Sequence, residues 1–153
     1  MQRLERGLIA SLLTGVLLAA GCGGDDPVEP EPEAAPPDLS GTYTLLSFAS
    51  AALTAGNALT PPDVSGMFTV EQTSVAGGEA GGTFEMTVTV PASEGGTTTI
   101  VDQGTYRNYM DGQLEQVGEL WQTRGTYELD GNTLTIDVAE PVLALSKTVW
   151  QRE

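Results

Sequence analysis

The chain has 153 residues, 21 acidic against 6 basic, for a formal net charge of −15 at pH 7. Such a surface repels nucleic acid and anionic headgroups, so no nucleic-acid partner is expected. Histidine is absent and cysteine occurs once, which removes the commonest general base, the commonest neutral-pH metal ligand and any intrachain disulfide. The length suits one domain with a single core.

At the N-terminus a basic head (Arg3, Arg6) leads into an apolar run from Leu8 to Ala20, then Gly21 and Cys22. The run, about 13 residues, is shorter than the roughly 20 that a spanning helix needs. Its charged head, apolar middle and small-residue exit have the form of a cleaved secretory signal. Leu18-Ala19-Ala20-Gly21-Cys22 resembles the bacterial lipobox, with Ala19 where that family more often has leucine. The resemblance implies a signal peptide over residues 1–21, cleavage before Cys22, and lipidation of Cys22. The diacylglyceryl and N-acyl groups would hold the protein firmly on a membrane, since each buried CH₂ contributes about 0.8 kcal/mol. The mature chain then keeps four basic residues (Arg107, Arg124, Lys147, Arg152) against twenty acidic ones, a net charge of −16.

Residues 22–40 read as an acidic, proline-rich tether. Asp25, Asp26, Glu29, Glu31, Glu33 and Asp38 have no basic partner, and the prolines among them fix φ and remove donors. An extended, disordered segment is expected; at about 3.1 Å per residue it reaches up to roughly 50 Å. Asp25-Asp26 is similar to the acidic export signal of some surface-exposed lipoproteins. Gly23 lacks the aspartate that favours inner-membrane retention in enterobacterial lipoproteins. The expected location is the outer membrane of a bacterial envelope, with the periplasmic face ahead of the cell surface.

From Gly41 the pattern turns to short β segments. Thr83 to Val90 alternates without a break, placing Phe84, Met86, Val88 and Val90 on one buried face. Gly125–Leu129 and Asn132–Val138 flank Asp130-Gly131, which predicts a two-residue type I′ hairpin. That turn pairs Leu129 with Asn132, Tyr127 with Leu134 and Glu128 with Thr133. It puts Tyr127, Leu129, Leu134, Ile136 and Val138 on one face. Further strands are expected at Thr42–Ala49, Met67–Gln72, Thr97–Asp102 running on to about Tyr109, Val117–Trp121, and Ser146–Arg152. Ala51–Leu59 has room for one helical turn. Seven to nine short strands separated by Gly-, Pro- and Asp-rich turns predict an all-β barrel or sandwich.

Three stretches resemble the small lipocalin-like (calycin-type) domains of bacterial lipoproteins. Ser40-Gly41-Thr42-Tyr43 is similar to their opening Gly-x-Trp strand, with Tyr43 in place of tryptophan. Gly125-Thr126-Tyr127 with Gly131-Asn132-Thr133-Leu134 is similar to their late hairpin, and Lys147–Arg152 to their closing strand. The resemblance spans residues 41–153. It implies an antiparallel up-and-down barrel of about eight strands, whose last strand pairs with the first, and no shared catalytic residues.

No catalytic, cofactor or metal site is expected. With Cys22 lipidated no thiol nucleophile remains, Lys147 is the sole lysine, and neither Ser-x-x-Lys nor Gly-x-Ser-x-Gly occurs. Glu85 and Glu128 fall on solvent-facing strand positions. Asp111-Gly112 and Asp130-Gly131 are turns rather than an EF-hand loop. The nine aromatic residues either fill the barrel or line a pocket for an apolar ligand, in which case Tyr43, Phe84, Met86 and Tyr127 are the expected lining. Two roles stay open: a lipid-anchored module binding a small hydrophobic ligand, or a structural or protein-interaction module of the envelope with a filled barrel.

Overall fold

A computed structural model describes residues 34–144 and 146–153. The expected signal peptide, Cys22 and the expected tether through Glu33 lie outside the described residues. Eight strands follow one another: β1 (Gly41–Ser50), β2 (Ser65–Ala76), β3 (Glu79–Pro91), β4 (Thr97–Tyr109), β5 (Gln113–Gly118), β6 (Gln122–Asp130), β7 (Thr133–Glu140) and β8 (Ser146–Arg152). Each pairs antiparallel with the next, and β8 returns to pair with β1 through Tyr43–Arg152 and Leu45–Trp150. The protein is a closed, eight-stranded, up-and-down antiparallel barrel. Closure gives every strand a neighbour on both sides.

The period of two explains the sidedness. On β3, Phe84, Val88 and Val90 are buried, with Thr83, Glu85 and Thr87 outside. On β7, Leu134, Ile136 and Val138 point inward, and Leu134 is fully buried. Phe84 and Leu134 belong to one core, together with Tyr43, Leu45, Phe68, Tyr106, Tyr127 and Trp150.

Inward-facing glycines let the sheet coil this tightly. A Cβ on Gly104 would overlap the Val117 carbonyl oxygen, so the β4–β5 approach requires glycine there.

Two local expectations differ from the structure. The β6–β7 hairpin turns at Gly131-Asn132 rather than Asp130-Gly131, with Asp130 paired to Thr133, Leu129 to Leu134 and Glu128 to Thr135. Gly131 has φ +57°, whereas Asn132 is not left-handed. A single positive φ at the first turn position suits a II′-type connection, not the I′ turn that needs two. The register moves by two residues, so every side chain keeps its face.

Second, Val117–Trp121 is not one strand. Pairing with β4 ends at Gly118, where the Gly118 amide donates to the Trp121 carbonyl at 2.8 Å and closes a turn. The apolar pattern of that stretch serves the barrel mouth rather than a buried face. Between β1 and β2, Ala51–Leu59 forms turns, with Ser50 O accepting from Thr54 N and Gly56 N, and Phe48 bridging to Leu59.

Candidate functional site

The two ends of the barrel are built differently. At the end where β1 begins, Pro36–Ser40, assigned above to the tether, lies across the opening, with Pro36 and Leu39 buried. Three successive backbone carbonyls are held by barrel side chains. The Asn108 amide donates to Pro37 O at 3.1 Å, Arg152 Nη2 to Asp38 O at 2.8 Å, and the Tyr43 hydroxyl to Leu39 O at 2.8 Å.

Arg152 also donates to the Tyr43 hydroxyl from Nε and Nη2, at 2.9 and 2.6 Å. Its guanidinium carbon stands 5.2 Å from the Tyr43 ring centroid. Burial pushes the Tyr43 hydroxyl above its ordinary pKa, against the opposing pull of Arg152. The Ser40 amide, 2.8 Å from Asp38 Oδ1, together with the Ser40 hydroxyl, holds the Asp38 carboxyl below the usual range. This end is sealed.

The same end holds buried polar groups without partners. The Tyr106 hydroxyl, Asn108 Oδ1 and Gln72 Oε1 have no hydrogen-bond partner among the described residues. Burial pushes the Tyr106 hydroxyl well above its ordinary pKa.

Above the seal, Phe68 packs against Tyr43, Phe84 and Trp150, with ring centroids 6.2, 6.0 and 5.3 Å away. The Trp150 indole N–H is satisfied by Thr148 Oγ1 at 2.7 Å. Phe68 and Trp150 form the floor, and Phe84 the adjoining wall, of a cavity of about 740 Å³ that opens at the opposite end. Phe48, Met86, Ile136 and Val138 line its walls, and Leu53, Leu120 and Trp121 stand around its mouth. The mouth residues are exposed: Leu120 by 53% and Trp121 by 45%. The volume falls within the roughly 300–1,000 Å³ of sites that bury small organic molecules. The interior is thus filled at one end and open at the other.

Of the residues expected to line a pocket, Phe84 and Met86 do so. Tyr43 and Tyr127 do not. Tyr43 lies beneath the floor, clasped by Arg152, and the Tyr127 hydroxyl donates to Tyr109 O at 2.8 Å beside Asn108 in the sealed end. Both are inward, as their strand phase requires, but they sit too far toward the plug.

Glu85, Glu128 and Asp130 are exposed. Asp102 is the acidic side chain that sequence reasoning missed. It is 6% exposed and lines the cavity wall. Its position, two residues from Ile100 and four from Tyr106, matches the inward phase of β4, a signal obscured by the adjacent Ile100-Val101 pair.

Asp102 Oδ1 accepts from the Gln103 and Leu120 amides, both at 3.0 Å, pinning the β5–β6 turn. A Cβ on Gly118 would overlap its carboxylate, so glycine alone leaves room for it. Among the described residues no three His, Cys, Asp or Glu side chains gather as a metal site would require. Comparison of the chain with protein-family models, with curated proteins and with solved structures finds no match.

Proposed function

We propose that this protein is a lipid-anchored binding module of a bacterial cell envelope, carrying a small hydrophobic ligand in the open half of a lipocalin-like barrel. The observation that carries this reading is the cavity of about 740 Å³, walled by Phe48, Phe84, Met86 and Ile136 over a floor of Phe68 and Trp150. Water gains few hydrogen bonds in such a space, and an apolar guest removes that wall from solvent at about 25 cal/mol per Å². The eight-stranded, end-to-end closed topology supports the lipocalin-like reading, as do the Gly41–Tyr43 opening and the Lys147–Arg152 closing strand. The proposed anchor is Cys22, in the outer membrane with the barrel on the periplasmic face.

Native mass spectrometry of the protein purified from its host envelope tests the binding role. A co-purifying apolar adduct is expected, lost when Met86→Trp fills the cavity; a bare polypeptide mass from the unaltered protein overturns the reading. Cys22→Ser tests the anchor, and is expected to move the protein from the membrane fraction to the soluble one.

A second reading rests on the exposed apolar mouth. Leu53, Leu120 and Trp121 offer a docking surface for an envelope protein. An adduct-free protein that captures a partner, and loses it with Trp121→Ala, favours that role.

A further inference from the structure

We infer that the guest is cationic at one end: a primary or secondary ammonium on an apolar tail, its head paired with Asp102. This rests on the cavity being a binding site and adds the chemistry of what it selects.

Among the described residues, Asp102 is the one charged side chain on the cavity wall, whose other members are apolar or neutral polar. It has no counter-charge of its own. Each lysine and arginine among the described residues is engaged elsewhere: Arg107 with Glu79 at 3.4 Å, Arg124 with Glu115 at 3.0 Å, Lys147 with Asp137 at 3.9 Å, and Arg152 in the seal. Both protein donors to Asp102 fall on Oδ1, so among the described residues Oδ2 receives no hydrogen bond.

A carboxylate so enclosed favours a partner that brings positive charge and N–H donors together. An ammonium brings both. A bare metal ion would need further hard ligands, and among the described residues no group of three His, Cys, Asp or Glu side chains forms, at Asp102 or elsewhere. A fatty-acid carboxylate would meet Asp102 as a like charge, in a chain already at −15.

The apolar part of the guest is equally specified. Met86 pairs with Asp102 across β3–β4, and Phe84 continues the wall down to Phe68 in the floor. A head held at Asp102 therefore directs its tail down an aromatic and aliphatic shaft. The chain's two tryptophans, Trp121 and Trp150, both line the cavity, so its occupancy is readable from intrinsic fluorescence.

The test is titration of the purified protein with dodecylamine, dodecanol and dodecanoate, each below its solubility or micellar limit, followed by tryptophan fluorescence. The amine is expected to bind about tenfold more tightly than the alcohol, as a charge-assisted hydrogen bond allows, with dodecanoate weakest. Asp102→Asn keeps an oxygen for the Gln103 and Leu120 amides, and is expected to bring the amine down to the level of the alcohol. Equal affinity for all three, or an amine preference that survives Asp102→Asn, overturns the inference and leaves the cavity reading standing. No saturable binding of any of the three overturns the cavity reading itself. Should Asp102→Asn fail to fold, the same series on the unaltered protein in about 0.5 M NaCl decides. Salt screens the acidic surface but not an enclosed pair, so the amine preference must persist.

Discussion

The sealed and open ends of this barrel use the same strands for opposite purposes. At the sealed end, aromatic rings, an arginine and three backbone carbonyls of Pro37–Leu39 interlock until little space remains. At the open end β5 stops at Gly118, leaving Thr97–Asp102 of β4 without a strand partner on that side, and apolar side chains line a cavity or face solvent. The packed core and the cavity are therefore separated along the barrel axis. Substitutions near the seal should report on folding, and substitutions near the mouth on binding.

The largest effect tests the wall shared by both halves. Leu134 is fully buried, and Leu134→Ala should cost about 2–5 kcal/mol in chemical denaturation. A loss below about 1 kcal/mol would mean that this side of the barrel is far looser than its packing implies.

Next comes the clasp. Arg152→Met removes the donors to Tyr43 and Asp38 O, and should destabilise by about 1–2 kcal/mol while leaving dodecanol affinity unchanged. If guest affinity falls with stability, the two ends are coupled and the separation fails.

Smaller still is Tyr106→Phe. It deletes a buried hydroxyl that has no partner, so stability at pH 7 should hold or rise by up to about 1 kcal/mol. The same variant carries a pH signature. A folded-state pKa raised above the ordinary value near 10 gives stability that is whole below pH 10 and declines as pH climbs toward the folded value. The urea midpoint should therefore drop above pH 10, and drop less steeply in Tyr106→Phe. Least of all, Glu128→Ala on the outer face should stay within about 0.5 kcal/mol of the unaltered protein.

Sidedness was legible because strands have period two. Once Phe84 and Leu134 are assigned inward, each alternate neighbour follows, and the register change at Gly131-Asn132 could not disturb this because it moved pairing by an even number. The hairpin's exact turn was not legible, since Asp130-Gly131 and Gly131-Asn132 both satisfy turn chemistry and only the φ values separate them. The seal was hidden for another reason. Pro36–Ser40 has the composition of a linker, and what fixes it are backbone carbonyls, which no residue type announces. The cavity was hidden because filling depends on where β5 stops, and the apolar pattern of Val117–Trp121 does not mark the stop at Gly118. Phe84 and Met86 could be chosen by phase, whereas Tyr43 and Tyr127 share that phase and differ only in height along the barrel.

Because the leading polypeptide threads in beneath Tyr43, tension applied from that side is borne by the Arg152 latch and by the hydrogen bonds tying β1 to β2 and β8. The vestibule framed by Leu53 and Trp121 lies at the other end of the barrel from Pro36–Ser40. Load entering through Pro36–Ser40 would therefore reach the seal before the entrance, and on the proposed reading the entrance keeps its shape.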